Sequence, residues 1–315
     1  MARTSRDPLL VSIVVPTRNR PVQLHACLAA LAAQSFDHER FEVLVVDDGG
    51  EVPLQEELAQ FSQQINVRLL VQEHRGPARA RNVGAAEARG TLLAFTDDDC
   101  EPASGWLSGL HECFRADNES AFGGHTVNAL PENAYSTASQ LLVDYLYAYY
   151  SRTAALGQAL GASAFLTSNN IAMSATRYKE IGGFDETFPL PAGEDRDLCD
   201  RWLHQGYRLR VVPDAVIRHS HHLSLRRFWR QHMNYGRGAC HLRRARLAKA
   251  RQPQSVEPLS FYIGLVLFPL SSATRRRGQL VCLMALSQVA NVLGFLIEAV
   301  KRSHSAHDSP QTCAK

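Results

Sequence analysis

The sequence lacks the features that mark an exported, disulfide-stabilised or zinc-ribbon protein. Its seven cysteines are odd in number and form no C-x-x-C pair, which argues against a disulfide framework or a zinc ribbon. The first apolar run, residues 9–15, is too short for a signal-peptide core and ends at Pro16. We therefore expect a cytoplasmic protein in a reducing setting.

Internal repeats and low-complexity tracts are also lacking. A chain of 315 residues with 45% hydrophobic content can bury one main core of roughly 200 to 250 residues and carry an appendage. One main domain is therefore the expectation.

Acidic residues are scarce in one part of the chain. Residues 1–200 contain 15 Lys and Arg against 27 Asp and Glu, whereas residues 201–251 contain 13 Lys and Arg and the single acid Asp214. Such a basic block favours phosphates on a soluble donor, on nucleic acid or on anionic lipid; a solvated helix face is the alternative. Because the block contains no recognisable nucleic-acid-binding module, we expect no nucleic-acid partner.

From Leu10 onward, short β-branched runs alternate with helical stretches. This order predicts an α/β protein with a mostly parallel sheet covered on both faces. Pro21 and Pro77 suit the first turns of the helices predicted at 22–33 and 77–90. Four runs are apolar nearly throughout, as strands buried on both faces should be: residues 10–15, 41–46, 67–71 and 91–96.

After residue 100 the pattern becomes less regular. The sequence predicts strands at 121–127, 170–174, 208–212 and 215–219, helices at 136–150 and 198–205, and a basic helical stretch ending near Arg251. We divide the chain into residues 1–100, residues 101–222, and a C-terminal part with a basic helix and apolar helices (223–315).

Two apolar segments, 259–273 and 280–300, lie near the end of the chain. The second is long enough to cross a bilayer, although Gln288, Asn291 and Glu298 dilute it. A spanning hairpin would place the arginines at 275–277 on the far side, against the positive-inside tendency. We therefore favour a surface or re-entrant pair that holds residues 223–302 on the anionic inner face of the cell membrane. A soluble helical pair is the alternative.

Three adjacent carboxylates, Asp97, Asp98 and Asp99, directly follow a predicted strand. Their mutual repulsion is tolerable mainly when a hard cation such as Mg²⁺ or Mn²⁺ neutralises them. Side chains alternate along an extended segment, so Asp97 and Asp99 share the predicted metal site. A solvated turn is the alternative. His219, after another predicted strand, is a candidate further ligand, although the neighbouring histidines suit phosphate binding or a surface position equally.

Other polar residues follow the ends of predicted strands, where open parallel sheets bind ligands. Asp47 and Asp48 can accept hydrogen bonds from a base or a ribose, or can simply form the turn before Gly49. Arg81 lies near the start of a helix whose amino end attracts anions such as a diphosphate; an exposed cationic face is the alternative.

Glu194 and Asp195 open the predicted helix that leads to Trp202. Either acid can cap that helix, and for Glu194 alone capping is a sufficient explanation. Transfer of a group to a hydroxyl with inversion needs one carboxylate to take the proton while metal and cations stabilise the leaving diphosphate. Because capping already explains Glu194, Asp195 is the candidate base.

Six motifs together resemble glycosyltransferase family 2 over about residues 10–240. They are Pro16-Thr17-Arg18-Asn19-Arg20, Val45-Val46-Asp47-Asp48-Gly49, Ala80-Arg81-Asn82-Val83-Gly84, Phe95-Thr96-Asp97-Asp98-Asp99, Gly182-Gly183-Phe184-Asp185 and Gly193-Glu194-Asp195. The resemblance implies a GT-A fold, a UDP-, GDP- or dTDP-linked sugar donor, a metal at the D-x-D motif and an inverting displacement. The implied acceptor is a sugar or glycolipid of the cell envelope or an exopolysaccharide.

The resemblance implies that residues 1–100 bind the nucleotide sugar and that residues 101–222 bind the acceptor and carry out catalysis. Carried over by position, it also gives each motif a role. It implies that Thr17 and Asp48 contact the base, that Arg81 lies near the diphosphate, and that Asp195 is the catalytic base. Asp97 and Asp99 would hold ribose and metal. The remaining members of the implied substrate site are Pro16, Arg18, Asp47, Asp98 and Glu194.

The sequence departs from the family pattern at two places, and two other functions compete with sugar transfer. Gly49-Gly50 stands where many members carry a serine, which leaves the nucleotide open, and the absence of a Q-x-x-R-W motif favours a single addition over a processive synthase. A sugar-phosphate nucleotidyltransferase would need a glycine-rich triphosphate loop, which Pro16-Thr17-Arg18-Asn19 does not supply. A non-catalytic scaffold or sugar-nucleotide sensor would not need Asp97, Asp99 and Asp195.

Overall fold

The described residues between Val11 and His219 form a mixed sheet of eight strands. The computed structural model describes residues 9–155, 165–249, 257–271 and 276–307. Within them lie β1 (Val11–Thr17), β2 (Phe41–Asp48), β3 (Asn66–Gln72), β4 (Leu92–Thr96), β5 (Cys100–Pro102), β6 (Ser120–Asn128), β7 (Asn170–Ser174) and β8 (Arg208–His219). Their order across the sheet is β3-β2-β1-β4-β7-β6-β8-β5.

The sheet is parallel on one side and mixed on the other. Strands β1, β2, β3 and β4 run parallel, β7 runs antiparallel to both β4 and β6, β8 runs parallel to β6, and β5 runs antiparallel to β8. The four strands predicted before residue 100 are confirmed, as is the expected α/β class. Every residue of β1, β2 and β4 is buried, which explains why these runs are apolar rather than alternating.

Ten α-helices follow one another among the described residues. They are α1 (Pro21–Ala32), α2 (Gln55–Ala59), α3 (Pro77–Ala86), α4 (Trp106–Ala116), α5 (Ala134–Ala155), α6 (Ala175–Glu180), α7 (Glu194–His204), α8 (Leu225–Ala248), α9 (Leu259–Leu267) and α10 (Arg277–His307). A short 3-10 helix, Phe268–Leu270, follows α9. Arg251, Ala273 and Arg275, which the sequence predictions named, lie outside the described residues.

Two units divide these elements. The first unit comprises residues 1–130, 160–189 and 194–221, and the second comprises residues 131–159, 190–193 and 222–315. The first therefore contains the whole sheet. Its core includes side chains from β1, β2 and β4 together with α1 and α4.

The segment 208–219 forms one strand where the sequence predicted two. Pro213 separates the predicted pair, and the pairing of β8 with β6 shifts there: Val212 lies opposite Gly124, and Val216 lies opposite His125. Because proline has no backbone N–H, it cannot donate to the sheet ladder and is found at such irregularities. The prediction of two strands was wrong because a β-bulge carries a single strand past the proline.

In the second unit, α8 and α10 approach each other closely at two glycines. A Cβ atom on Gly236 would lie 1.8 Å from the Asn291 carbonyl oxygen, and one on Gly294 would lie 2.0 Å from that of Met233. Arg237 on α8 pairs with Glu298 on α10 at 3.1 Å. Residues 277–301 of α10 are long and apolar enough to cross a membrane. The most apolar stretch of 18 residues within them has a mean hydropathy of 2.2, and 33% of that stretch is buried.

Candidate active site

The carboxyl ends of the parallel strands bring the predicted polar residues to one edge of the sheet. Thr17 ends β1 and pairs in register with Asp47 near the end of β2, and the acidic triplet begins directly after β4. Since β1 pairs with both β2 and β4, the three polar ends are neighbours. This edge is where an open parallel sheet binds ligands.

Asp98 faces inward, toward the loop after β1. It is buried and accepts hydrogen bonds from Thr17 Oγ1 at 2.7 Å and from Arg20 Nη1 at 3.0 Å. Burial raises the pKa of Asp98 to about 6, although the Arg20 charge acts in the opposite direction. Asp98 therefore ties β1 to β4.

Arg20 also lies 3.2 Å from Asp99 and so contacts two of the three carboxylates. In the sequence Arg20 belongs to the motif Pro16-Thr17-Arg18-Asn19-Arg20, which predicts no particular role for it. Nothing in the sequence distinguishes it from Arg18, which donates to the Gly49 carbonyl instead.

Asp99 is joined to His219 across two antiparallel strands. His219 Nε2 lies 3.2 Å from Asp99 Oδ1. Burial alone would raise the pKa of Asp99, but the hydrogen bond and charge of His219 lower it. Burial likewise opposes protonation of His219, and Asp99 raises its pKa. The structure thus brings together two residues that the sequence predicted as metal ligands 120 positions apart.

The chemistry of this cluster fits a cation that prefers oxygen and nitrogen ligands. Ligand atoms of Asp99, Cys100 and His219 all lie within 4.8 Å of one another. Burial raises the pKa of the Cys100 thiol well above its usual value, so sulfur is a poor ligand here. The remaining Asp99 carboxylate and His219 imidazole suit Mn²⁺, and the carboxylate also suits Mg²⁺.

Asp97 turns away from Asp98 and is bound by Arg81 from α3. Arg81 Nη2 lies 2.7 Å from Asp97 Oδ1, and Arg81 Nη1 lies 3.4 Å from Glu194 Oε1. The Arg81 side chain is only 4% exposed, and its Cζ atom lies over the Phe184 ring, 5.4 Å from the ring centroid. Arg81 therefore bridges the acidic triplet and the first turn of α7.

The two acids that open α7 differ in their partners. Glu194 is buried against Arg81, and burial together with the Asp195 charge raises the pKa of Glu194 to about 7. Asp195 is less buried; its Oδ1 accepts the Arg196 amide at 2.8 Å. Burial also raises the pKa of Asp195, against the effect of Arg196. A carboxylate with a raised pKa is a better proton acceptor.

Asp48 lies in a dense set of donors. Its carboxylate accepts from Gln72 Nε2 at 2.6 Å and from His74 Nδ1 at 2.8 Å, and also from the Arg75 and Gly76 amides. Burial opposes ionisation, but these hydrogen bonds lower the pKa of Asp48. Sequence reasoning missed Gln72 and His74, because no local pattern links them to a carboxylate 24 or more positions earlier.

Asp47 and Pro16 have structural contacts that the sequence left open. Asp47 Oδ1 accepts the amide of Gly50 at 2.8 Å, which is the turn-forming alternative. Pro16 lies within the buried strand β1. All the predicted site residues belong to the first unit.

Two family models match the chain. The family model described as glycosyl transferase family 2 matches residues 12–175, and that described as glycosyl transferase family group 2 matches residues 96–297. The chain is 30% identical over 252 residues to the pre-mycofactocin glycosyltransferase of Mycobacterium tuberculosis, covering 79% of this chain and 49% of that protein. It is 28% identical to the validoxylamine A glucosyltransferase of Streptomyces hygroscopicus subsp. limoneus, covering 69% and 51%. The chain thus spans about half the length of these relatives.

Solved structures share the fold at lower identity. A mannosyltransferase from Pyrobaculum calidifontis, solved with GDP-Man and Mn²⁺, superposes with a TM-score of 0.57 at 16% identity, covering 97% of this chain and 79% of that one. Residues 1–349 of S. aureus TarS, solved with UDP-GlcNAc, superpose with a TM-score of 0.56 at 13% identity, covering 94% and 92%. At these identities the likeness establishes the fold alone, and it confirms the expected GT-A-like architecture.

Proposed function

The chain belongs to glycosyl transferase family 2, and from that premise we propose that it transfers a sugar, with inversion, from a nucleoside-diphosphate donor to an acceptor hydroxyl. The observation that carries this proposal is the bridge made by Arg81 between Asp97 and Glu194. It sets the acidic triplet beside the turn that carries Asp195. Inverting transfer requires a donor-side cluster and a separate base at such neighbouring positions.

We assign donor binding to residues 1–100, with Thr17, Asp48 and the neighbouring Pro16, Arg18 and Asp47 at the nucleoside. A carboxylate has about four acceptor positions, and four donors already fill those of Asp48. A base imide would therefore replace a side-chain donor, either Gln72 or His74. The nucleoside is that of a UDP-, GDP- or dTDP-linked sugar.

We propose that Asp97, Asp99 and His219 hold the divalent cation, Mn²⁺ or Mg²⁺. Bound there, the cation would supply Lewis-acid stabilisation of the negative charge on the departing diphosphate. Arg81 adds positive charge on the same side, and the pair of Arg20 with Asp98 and Asp99 fixes the carboxylates before substrate arrives. Fixed charges of this kind require little rearrangement during the reaction.

We assign the acceptor side and the base to residues 101–222. Asp195 takes the proton of the acceptor hydroxyl while the hydroxyl oxygen bonds to the anomeric carbon of the donor sugar. The bond between that carbon and the diphosphate oxygen breaks at the same time. Glu194 stays bound to Arg81 and orients the turn. The raised pKa of Asp195 supports this role, because it brings the base closer to the pH at which the enzyme works.

Two substitutions test these assignments. Asp195→Asn keeps the size of the side chain but cannot accept a proton, so we expect transfer to fall by about 10²- to 10⁴-fold with nucleotide binding retained. Asp99→Ala should instead weaken Mn²⁺-dependent nucleotide binding. Thermal shifts with UDP, GDP, dTDP and CMP, each with and without Mn²⁺, measure binding, and a transfer assay measures turnover.

Each variant is the control for the other. Substantial transfer by Asp195→Asn would remove Asp195 as the base, and wild-type nucleotide affinity in Asp99→Ala would remove Asp99 from the metal site. If no nucleoside diphosphate shifts the wild-type protein in Mn²⁺, the non-catalytic sensor or scaffold becomes the better explanation.

We also propose that the second unit attaches the enzyme to the inner face of the cell membrane. The supporting observation is an exposed apolar face on α10, here called the α10 face, formed by Val289, Val292, Leu293, Leu296 and Val300. Glu298, the one acidic residue of α10, lies on the opposite, buried side. Exposed cations lie on α8 and at the ends of the apolar part of α10: Arg226, Arg227, Arg230, Arg243, Arg277 and Lys301. An apolar face flanked by cations suits an anionic bilayer surface.

The packing of α10 on α8 favours a helix lying in the membrane surface over one that spans it. The close approach at Gly236 and Gly294 means that α8 would accompany α10 into the bilayer. Arg237 and Arg244 of α8 also bind Glu298, by its side chain and its carbonyl respectively. Each arginine at the centre of a bilayer costs about 2.5–3.5 kcal/mol on insertion scales, so α8 opposes spanning.

We propose that the acceptor is a sugar or glycolipid of the cell envelope or of an exopolysaccharide, and that one sugar is added per encounter. A lipid-linked acceptor would explain the α10 face. Similar proteins are named for differing acceptors and products, such as pre-mycofactocin and chondroitin, so the family alone does not choose among acceptors.

A further inference from the structure

Residues of α3 and α7 both form hydrogen bonds to one short segment, residues 181–186, which we call the glycine segment. It leaves α6 through Gly182 and Gly183, whose φ angles are 85° and 65°. Such left-handed angles favour glycine. A Cβ atom on Gly183 would lie 2.6 Å from Asn82 Oδ1, so glycine at this position also allows the Asn82 side chain to approach.

The side-chain amide of Asn82 in α3 binds both the glycine segment and Tyr178 of the preceding helix α6. Its Nδ2 donates to the Phe184 carbonyl at 2.9 Å and to Glu186 Oε1 at 2.8 Å. Its Oδ1 accepts from the Phe184 amide at 2.9 Å and from the Tyr178 hydroxyl at 2.6 Å. An asparagine amide has two donor hydrogens and two acceptor positions, so all of them are used here.

Arg201 of α7 binds the same segment from another helix. Its Nη1 donates to the Ile181 carbonyl at 2.7 Å, and its Nη2 donates to the Gly183 carbonyl at 2.6 Å. Its Nε donates to Asp197 at 2.7 Å, which compensates the charge of a side chain that is only 9% exposed. Charge-assisted bonds from a planar guanidinium are strong and directional.

Asn82 and Arg201 lie close in the chain to the residues proposed to act in transfer. Asn82 follows Arg81, which binds Asp97 and Glu194, and Arg201 lies about two helical turns after Asp195. The ring of Phe184, inside the glycine segment, lies beneath the Arg81 guanidinium. The segment therefore connects the helix of the donor-side arginine to the helix of the base.

We propose that Asn82 and Arg201 are positioning residues that use the glycine segment to fix Asp195 relative to Arg81 and Asp97. This inference rests on the assignment of Asp195 as the base. Neither residue is assigned a contact with substrate. A misplacement of about 1 Å can cost roughly 10²-fold in rate, so loosening either grip should reduce turnover more than donor binding.

Two conservative variants test the proposal. Asn82→Asp keeps the acceptor oxygen but sets a second oxygen against the Phe184 carbonyl and the Glu186 carboxylate. Arg201→Lys keeps the charge beside Asp197 but loses the fork that reaches two carbonyls. For each we expect kcat to fall by about 10- to 100-fold, KM for the donor and Mn²⁺-dependent UDP or GDP affinity to stay close to wild type, and amide hydrogens of residues 181–186 to exchange faster.

A control comes from the same segment. Arg79→Gln removes the exposed pair between Arg79 and Glu186, 3.0 Å apart, and should leave kcat unchanged. Wild-type kcat in Asn82→Asp or in Arg201→Lys would overturn the proposal. So would a loss of donor affinity equal to the loss of kcat, because the residues would then support the donor site.

The test separates this proposal from the proposed function. If the wild-type chain transfers no sugar, the function is wrong, whereas amide exchange in the variants still reports whether Asn82 and Arg201 hold the segment. If Asn82→Asp does not fold, Arg201→Lys decides the question. Wild-type amide exchange rates in a folded Arg201→Lys would show that the hydrogen bonds of Arg201 do not hold the glycine segment in place.

Discussion

The carboxylates of the site differ because their neighbours differ. Asp48 receives four hydrogen bonds that lower its pKa, whereas burial raises the pKa of Asp98 to about 6 and that of Glu194 to about 7. Burial also raises the pKa of Asp195. Sequence reasoning identified all four as acids near a ligand but could not order their acidities, since desolvation depends on what covers each group.

The raised pKa of Asp195 predicts how turnover depends on pH. The proposed base acts only when ionised, so kcat should fall as pH decreases through a pKa that lies above 3.8, the ordinary value for aspartate. A profile of kcat against pH measures the position of this limb.

Glu194→Gln is the control for that profile, since Glu194 titrates nearby. If the fall of kcat at low pH persists in this variant, it reports the titration of Asp195. If the fall disappears, it reports the titration of Glu194. A wild-type limb at or below pH 3.8 would contradict the raised pKa.

At the scale of elements, α3 reaches the sheet only because Gly84 has no side chain. A Cβ atom there would lie 2.4 Å from Val14 Cγ1 in β1. Gly84→Ala should gain about 1 kcal/mol of helix propensity but lose about 1–3 kcal/mol to overpacking. Because Val14 is buried in the core and cannot move aside, we expect a net decrease in the free energy of unfolding, measured by urea denaturation.

Gly109 in α4 supplies the matched control. It too is a glycine inside a helix packed on the sheet, but its nearest neighbour would be Val212 Cγ1 at 3.7 Å, an ordinary contact distance. Gly109→Ala should therefore keep the helix-propensity gain and not destabilise the protein. Equal effects at the two positions would show that packing distance is not the cause.

Among the predicted elements, the four strands before residue 100 have the strongest sequence patterns. The apolar runs predicted β1, β2 and β4, because burial on both faces leaves no polar positions. The run at β3 is also mostly apolar, although β3 is the edge strand and most of its residues are only partly buried. The three-residue strand β5 carried no such pattern and exists because it pairs with β8. That pairing also brings Asp99 to His219, so the short strand matters to the site despite its weak signal.

At the scale of the whole molecule, the α10 face predicts binding to anionic membranes. The full chain should pellet with vesicles of phosphatidylcholine and phosphatidylglycerol, less with phosphatidylcholine alone, and less at high salt because screening weakens attraction between cations and lipid. Val292→Asp with Leu296→Asp should abolish binding. Both side chains are more than half exposed, so the substitutions should leave the fold intact.

Val22→Asp is the control, because Val22 is 78% exposed on α1 and lies outside the second unit. It should bind vesicles like the wild type. If the wild type binds no vesicles but forms dimers that the double variant loses, the α10 face is an interface between two copies, and the membrane proposal fails.

The sequence by itself determined the α/β class, the strands before residue 100, the apolar character of the C-terminal helices and the residue types of the site, because hydrophobic period and local motifs carry that information. Tertiary structure alone decided which partners those residues have: Arg20 with the acidic triplet, Arg81 with Glu194, and Asn82 and Arg201 with the glycine segment. These pairs join residues from separate elements. Their distances depend on how the elements pack, which no local pattern encodes.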